Sequence, residues 1–349
     1  MKQTCIPVET VQVGEHTLTV RDLGLEDESA IVDLHTLVFG PQVDAAWLRW
    51  KYGQEPHQGL GQAVGAWHGE TLVAFCGGVP RTLNLHGKVW RGLQLTDVMV
   101  HPQWRGILTR KGPFYHASSR FYQSRMGSVD SHPFQLGFGF PSQIHMRLAE
   151  KIGLAWDAGH IQTLHWQPAP ADPLSWAWRW QEIFPTDADF DIHINAAWAA
   201  MEKETQGMTL GHRHAAYWRW RYVDRPPAMG VAPTKARYRY FTLRRAWSRR
   251  ACSVVVMDLR SPVAHWLDWV GSVEFLPLTV QALRYQSTQS GAQDVTAWAS
   301  AKVVQQLEGT GVVAKEISAW LGVPRHSDTQ GIPVAELNWW LMGGDTDFL

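Results

Sequence analysis

Arg49-Trp50-Lys51-Tyr52, with Pro56 four residues on, recurs as Arg219-Trp220-Arg221-Tyr222, with Pro226 four residues on. The separation is close to half of the 349 residues. Both copies follow an Ala/Trp-rich helical stretch, and both precede a region that reads as strands. A match at half the chain length predicts one structural unit built twice, a stronger constraint than any local propensity. Between the copies, Pro168-Ala169-Pro170-Ala171-Asp172-Pro173 reads as a stiff linker. The chain therefore divides into a unit at 1–167, a linker at 168–173 and a unit at 174–349.

In the first unit, residues 16–21 alternate and read as a strand. Asp27 to Phe39 reads as a helix with Ile31, Leu34, His35 and Val38 on one face, and Ala45 to Tyr52 as a second. Gln62 to Trp67 and Thr71 to Val79 form a hairpin, a turn falls at His86-Gly87-Lys88, and Leu93 to Val100 is a strand. Phe134 to Phe140 is a strand that Pro141 stops. Ser142 caps a helix over Gln143 to Ile152, Gly153 ends it, and Leu154 to Trp166 returns as strand. Helices alternate with strands only in the later part of this unit, which predicts a mixed sheet, an α/β chain with α+β character. In the second unit, Ala196–Gln206, His214–Tyr222, Leu276–Tyr285 and Ala301–Gln306 read as helices. Tyr238–Ala246 and Ala251–Leu259 read as a hairpin, with a strand near 294–298 and a last one at Val334–Met342.

The stretch most suited to chemistry is Leu95 to Gly112. The apolar strand Val98-Met99-Val100 runs into His101-Pro102 and then a basic, glycine-containing turn. Gly106 and Gly112 let backbone approach a ligand, and N–H groups at a helix start beside Arg105, Arg110 and Lys111 suit a phosphate group. The next helix starts either at Ile107, where Pro113 kinks it, or near Gly112, where Pro113 takes the favoured first position.

Composition narrows the partners. Thirty-two basic and 32 acidic residues cancel, so neither a nucleic acid nor an anionic membrane is favoured as a general partner, although local basic patches remain open. Cys5, Cys76 and Cys252 have no paired spacing and read as buried thiols in a reducing compartment. The first residues lack the apolar core of a signal peptide, and no apolar run approaches the ~18 residues of a membrane helix, so a cytoplasmic location is expected. Twenty tryptophans, many beside Arg or Lys, read either as apolar filler with snorkelling neighbours or as an aromatic-lined groove.

Four features in order resemble the GNAT superfamily of CoA-dependent N-acyltransferases. They are Val98-Met99-Val100 with His101-Pro102, the turn Gln103-Trp104-Arg105-Gly106, the strand Leu136-Gly137-Phe138-Gly139-Phe140 with Pro141-Ser142, and the helix end Glu150-Lys151-Ile152-Gly153-Leu154. The repeated half makes the chain look like a tandem GNAT protein similar to the Eis-type acetyltransferases, with the second unit degenerate and only the first holding cofactor.

The resemblance implies acetyl-CoA as cosubstrate. The backbone of Val98, Met99 and Val100 would take the pantetheine arm, while the turn Arg105, Gly106, Ile107, Leu108, Thr109, Arg110, Lys111, Gly112, together with Ser142, would take the phosphates. Leu108 stands where a small residue is usual, and Ala149 where a general-acid tyrosine is common. His145, one turn earlier, either faces the thiolate or is structural. Asp97 either accepts the amine proton or is a strand-end carboxylate paired with Arg105 or Lys88. Leu349 offers a carboxylate that in the Eis type reaches the active site; the competing reading is a frayed end. No metal is expected, since His212 and His214 lack a third ligand at a recognisable spacing. The acceptor implied is a small-molecule primary amine or an exposed amino group, with the oligomeric state left open. Alternatives are a tandem aminoacyl transferase using charged tRNA and a non-catalytic acyl-CoA-binding scaffold.

Overall fold

A computed structural model describes residues 7–41, 43–53, 62–106, 111–227, 238–259 and 262–346. Glu9–Val13 (β1) and His16–Asp22 (β2) pair as a hairpin ahead of helices Glu28–Phe39 (α1) and Ala45–Gly53 (α2). Ala63–His68 (β3), Thr71–Leu85 (β4) and Lys88–Val100 (β5) follow as an antiparallel meander. The long β4–β5 hairpin turns at His86 and Gly87, whose φ values of 48° and 78° match the right-handed twist of the flanking strands. Pro113–Arg125 (α3) starts with Pro113 in its first turn, so the later of the two expected helix starts is correct. Leu136–Gly139 (β6), Gln143–Lys151 (α4) and Ala155–Trp166 (β7) complete the first half. Ser142 caps α4 through His145 N–H, and Gly153, at φ 76°, turns the chain after it.

The second half runs Trp178–Ile183 (β8), Phe190–Glu204 (α5), Thr209–Gly211 (β9) and Ala215–Trp218 (α6). A π-helical turn, Arg219–Val223, continues α6 where one α-helix was expected. Arg239–Arg245 (β10), Ser253–Asp258 (β11), Val263–Gly271 (β12), Leu276–Gln289 (α7), Asp294–Ser300 (β13), Ala301–Gln306 (α8) and Val313–Pro324 (β14) follow. No strand was expected at 313–324. The strand expected at Val334–Met342 is instead a 3₁₀ turn, Val334–Glu336, and isolated bridges at Trp339 and Met342. Asn338, with φ 50°, breaks the extension there.

One mixed sheet runs β1-β2-β3-β4-β5-β6-β14-β7-β13-β12-β11-β10-β8, with β9 on the side of β4. Two neighbouring pairs along it are parallel, β5 with β6 and β12 with β13. The centre crosses over. β7, the last strand of the first half, pairs with β13 of the second, and β14 of the second half lies between β6 and β7.

The repeated motif makes matching contacts in both copies. Trp50 Nε1–H donates to the Trp220 carbonyl (2.7 Å), and Trp220 Nε1–H donates back to the Trp50 carbonyl (3.1 Å). Their rings stack at 5.4 Å, both buried. Arg49 pairs with Glu28 in the first turn of α1, and Arg219 with Asp191 in the first turn of α5, each at 2.8 Å. One apolar cluster runs through both halves, and Trp166, Trp218, Trp266, Trp269 and Trp340 are fully buried in the molecule, as filler. Of the cysteines, Cys76 is buried, with burial pushing its thiol up to about 12, while Cys252 is only half-buried. Among the described residues, no helix is long and apolar enough to cross a membrane.

Candidate active site

The parallel register of β5 and β6 runs from Gly92↔Leu136 to Leu95↔Gly139 and stops. Beyond it β5 stays paired with β4, Phe75 to Met99 and Ala74 to Val100, but has no strand partner on its other edge among the described residues. Between Thr96 and Met99 the register with β4 slips, and Asp97 takes φ 49°. A bulge of this kind turns a strand and re-aims the side chain it carries. Gly139 is the last residue of the pairing, and its missing Cβ permits the close approach to Leu95, whose Cβ would lie 3.0 Å away.

Asp97 is only 12% exposed, and α2 supplies its partners. Lys51 Nζ lies 2.8 Å from Oδ2, itself 3% exposed, and Tyr52 Oη–H donates to Oδ2 at 2.7 Å. Tyr52 Oη also meets Thr96 Oγ1 at 2.7 Å. The expected pairing of Asp97 with Arg105 or Lys88 is therefore wrong. Arg105 Nε–H is turned back onto the Val100 carbonyl (3.0 Å), and Lys88 lies at the far end of β5. Sequence reasoning passed over Lys51 and Tyr52 as site residues, although the repeated motif marked both.

His35 was also passed over, as one residue of a packed helix face. It is buried between Phe39 and Trp47, and its Nδ1 has no hydrogen-bond partner among the described residues. Burial pulls its imidazole below the ordinary value; Asp97 opposes this and Lys51 adds to it, so the ring is neutral at pH 7. Lys51 Nζ stands 4.7 Å over the Trp47 ring. Asp97, Lys51 and His35 thus act on one another electrostatically, and Trp47 touches both Lys51 and His35.

The turn leaving β5 carries the other expected groups. Pro102–Trp104 forms a 3₁₀ turn, and Gly106 has φ 78°. Ile107, Leu108, Thr109 and Arg110 lie outside the described residues. Gly112 is the N-cap of α3 and offers no side chain; Pro113 has no N–H, so Phe114 and Tyr115 N–H have no acceptor within the helix. Lys111 Nζ lies 5.1 Å over the Tyr115 ring beside them. On the β6 side, Ser142 Oγ lies 3.1 Å from His145 Nδ1, with both residues exposed. Because β5 and β6 are parallel, Asp97, Val98 to Val100, the turn, Ser142 and His145 all fall at the same end of the pair. Val98 is exposed, Met99 buried and Val100 half-buried.

The second half repeats the core of this arrangement and closes it. Its parallel pair runs to Trp266↔Ala297, with a register slip at Leu267 just beyond. Tyr222 Oη–H donates to Asp268 Oδ2 at 2.9 Å, as Tyr52 does to Asp97. Asp268, however, is fully buried and held by Arg213 Nε at 3.0 Å. Burial pushes its carboxyl up, Arg213 pulls it back and Asp345 pushes it up again, with the net shift upward.

The chain's own segment Gly343–Asp345 packs at this opening, after Met342 bridges Ala299 of β13. Asp345 bonds Arg213 and, at 3.0 Å, Arg81, and its carbonyl accepts Gln94 Nε2–H of β5 at 2.7 Å. Arg221, at the position of Lys51 in the motif, donates to the carbonyls of Gly344 (2.9 Å) and Thr346 (2.7 Å). Residue 349, the expected terminal carboxylate, lies outside the described residues. His212 Nε2 lies 2.7 Å from Asn84 Oδ1, and no group of three or more metal-ligating side chains occurs among the described residues.

Residues 19–154, from β2 to just past α4, match the family model described as an acetyltransferase (GNAT) domain. No curated protein matches the sequence. The fold is similar to that of a protein of unknown function from Enterococcus faecalis described as a probable N-acyltransferase. The two share 12% identity and a TM-score of 0.64, over 90% of this chain and 73% of that one. It is similar to a GCN5-related N-acetyltransferase from Anabaena variabilis, at 12% identity and a TM-score of 0.61, over 87% of this chain and 72% of the other. Saccharomyces cerevisiae N-myristoyltransferase with bound myristoyl-CoA aligns at 9% identity and a TM-score of 0.55, over 93% and 86%. At such identities the likeness is one of fold.

Proposed function

We propose that this chain, which carries a GNAT acetyltransferase domain at residues 19–154, is an acyl-CoA-dependent N-acyltransferase that transfers acetyl to a primary amine. One observation carries the reading. The parallel pair β5/β6 opens at Asp97 beside an uncapped, proline-led helix start flanked by a basic glycine turn. That geometry fits an extended thioester arm along the free β5 edge, with its phosphates at the start of α3. On this reading Val98, Met99 and Val100 bind the arm. Arg105, Gly106, Lys111 and Gly112, with Ile107, Leu108, Thr109 and Arg110, bind the phosphates, and Ser142 closes the site from the α4 side. The residues from 174 on form a second, related unit that binds no cofactor and walls the acceptor side.

The thioester supplies an activated acyl group; the chain supplies position and proton management. An alkylamine enters protonated and must lose a proton before its nitrogen forms the C–N bond and the C–S bond breaks. Asp97 takes that proton, directly or through water, while Lys51 and Tyr52 hold its carboxylate in place. Neutral His35, which feels the charges of Asp97 and Lys51, takes the second proton, the one the nitrogen loses once the C–N bond has formed. His145, exposed on the α4 side beside Ser142, gives a proton drawn from solvent to the departing thiolate.

Calorimetry with CoA and acetyl-CoA, followed by thioester turnover against a panel of small primary amines, tests this. Binding of both and amine-dependent release of CoA are expected. No binding of either at high micromolar concentration rejects the reading, and binding with only background hydrolysis leaves a scaffold.

A further inference from the structure

Away from the candidate site, one corner of the molecule leaves two tryptophans in solvent. Trp176 is 80% exposed and Trp247 66%, with their ring centroids 6.3 Å apart. Trp176 precedes β8, the edge strand of the sheet, and Trp247 lies in the turn joining β10 to β11. Ala246 N–H donates to the Ala177 carbonyl at 2.8 Å and fixes the two segments side by side. Arginines brace them. Arg179 NH1 donates to the carbonyls of Trp176 (2.9 Å) and Trp178 (2.8 Å), and Arg244 NH1 to that of Ser248 (3.0 Å). Arg245 lies 4.6 Å over the Trp178 ring. Arg249 and Arg250 stand exposed at the tip of the turn.

None of these five arginines forms an ion pair among the described residues. Nearby in sequence, the Asp172 carboxylate accepts Leu174 N–H, and Glu274 acts electrostatically on Cys252, just ahead of β11. In a chain whose formal charges cancel, this is a local concentration of cation and indole on a braced backbone. Exposed apolar rings cost free energy unless something covers them. Here the brace holds both rings outward.

We propose that this corner docks on an anionic lipid surface. Trp176 and Trp247 enter the boundary between headgroups and acyl chains, and Arg249 and Arg250, with Arg179 and Arg245, meet the lipid phosphates. Indoles settle at that depth because one end is apolar and the other a donor, and each arginine near an anionic surface adds to the attraction. A stacked nucleic-acid base fits less well, since the two rings are tilted by 51° and offer no parallel slot. A second copy is opposed by like charge, because a two-fold contact would set the arginines against themselves.

The test is flotation of the full chain with phosphatidylcholine vesicles, with and without phosphatidylglycerol. The chain floats with the anionic vesicles only, and less as salt rises. Trp176→Ser with Trp247→Ser weakens the apparent affinity about tenfold at unchanged charge. Arg249→Gln with Arg250→Gln weakens it by a similar factor of about ten. All four side chains are exposed, so an unchanged melting temperature separates lost binding from lost folding. Failure to float with phosphatidylglycerol vesicles overturns the proposal, as do variants that float like the parent. Concentration-dependent dimerisation, or tighter binding of a single-stranded oligonucleotide through the same residues, assigns the patch elsewhere and also overturns it.

Discussion

Beyond Leu95 the parallel pair of the first half opens beside a bulged aspartate that keeps 12% of its surface accessible; beyond Trp266 the pair of the second half opens onto the chain's own Gly343–Asp345. Both openings hold a tyrosine from the repeated motif on a strand aspartate, Tyr52 on Asp97 and Tyr222 on Asp268. The difference lies in the cation and in the space. Lys51 faces Asp97 directly, whereas Arg221 is turned to tail carbonyls and Arg213 takes over Asp268. Gly344 shows how closed the second opening is: a Cβ there would come within 1.9 Å of Tyr222 Oη. The same constellation is thus packed by backbone in the second opening, whereas among the described residues no such segment packs on Asp97 in the first.

Removing the tail carboxylate breaks the second half first. Asp345→Ala leaves Arg81 and Arg213 buried with one counter-charge fewer, and a loss of about 3–5 kcal/mol is expected by urea unfolding. A loss below about 1 kcal/mol would mean the network is solvated, and the contrast with the first half would fail.

Next, Asp97→Asn lowers amine transfer about 100-fold with CoA affinity retained, whereas Asp268→Asn lowers stability and leaves turnover per folded molecule alone. Equal effects of the two on turnover would erase the distinction. A smaller effect probes what the halves share. Trp50→Phe and Trp220→Phe each lose one reciprocal hydrogen bond, about 1 kcal/mol apiece, and the double variant departs from additivity because the rings touch.

The slightest change is in pH dependence. His35 is held neutral by burial, so the unfolded chain takes up a proton before the folded one does. Stability is therefore full above the ordinary histidine value of about 6.5 and falls as pH drops through it. His35→Phe flattens that fall, which thermal melts across the range can follow.

Much of the first opening could be read in the sequence because its parts are local. Pro102 ending a strand, Gly106 turning, Pro113 starting a helix and Ser142 capping one are each set by a residue's own backbone chemistry. The motif at 49–52 announced its partner at 219–222, although not that the two tryptophans bond each other. What escaped depends on long-range pairing. Nothing within Val313–Pro324 says that it lies between β6 and β7, and the alternation there is masked by five exposed residues in a row. The Leu349 carboxylate, read either as reaching the first site or as a frayed end, lies outside the described residues; what went unread is that Gly343–Asp345 packs in the second opening. Its burial depends on Arg81, Arg213 and Arg221, each more than a hundred residues away.

Hydrogen exchange with and without CoA tests the central claim most directly. The account predicts slowed exchange at 97–106 and 111–116, and no change at the end of β12 or in 343–346. Slowing confined to the second opening, or none anywhere at saturating CoA, would contradict it.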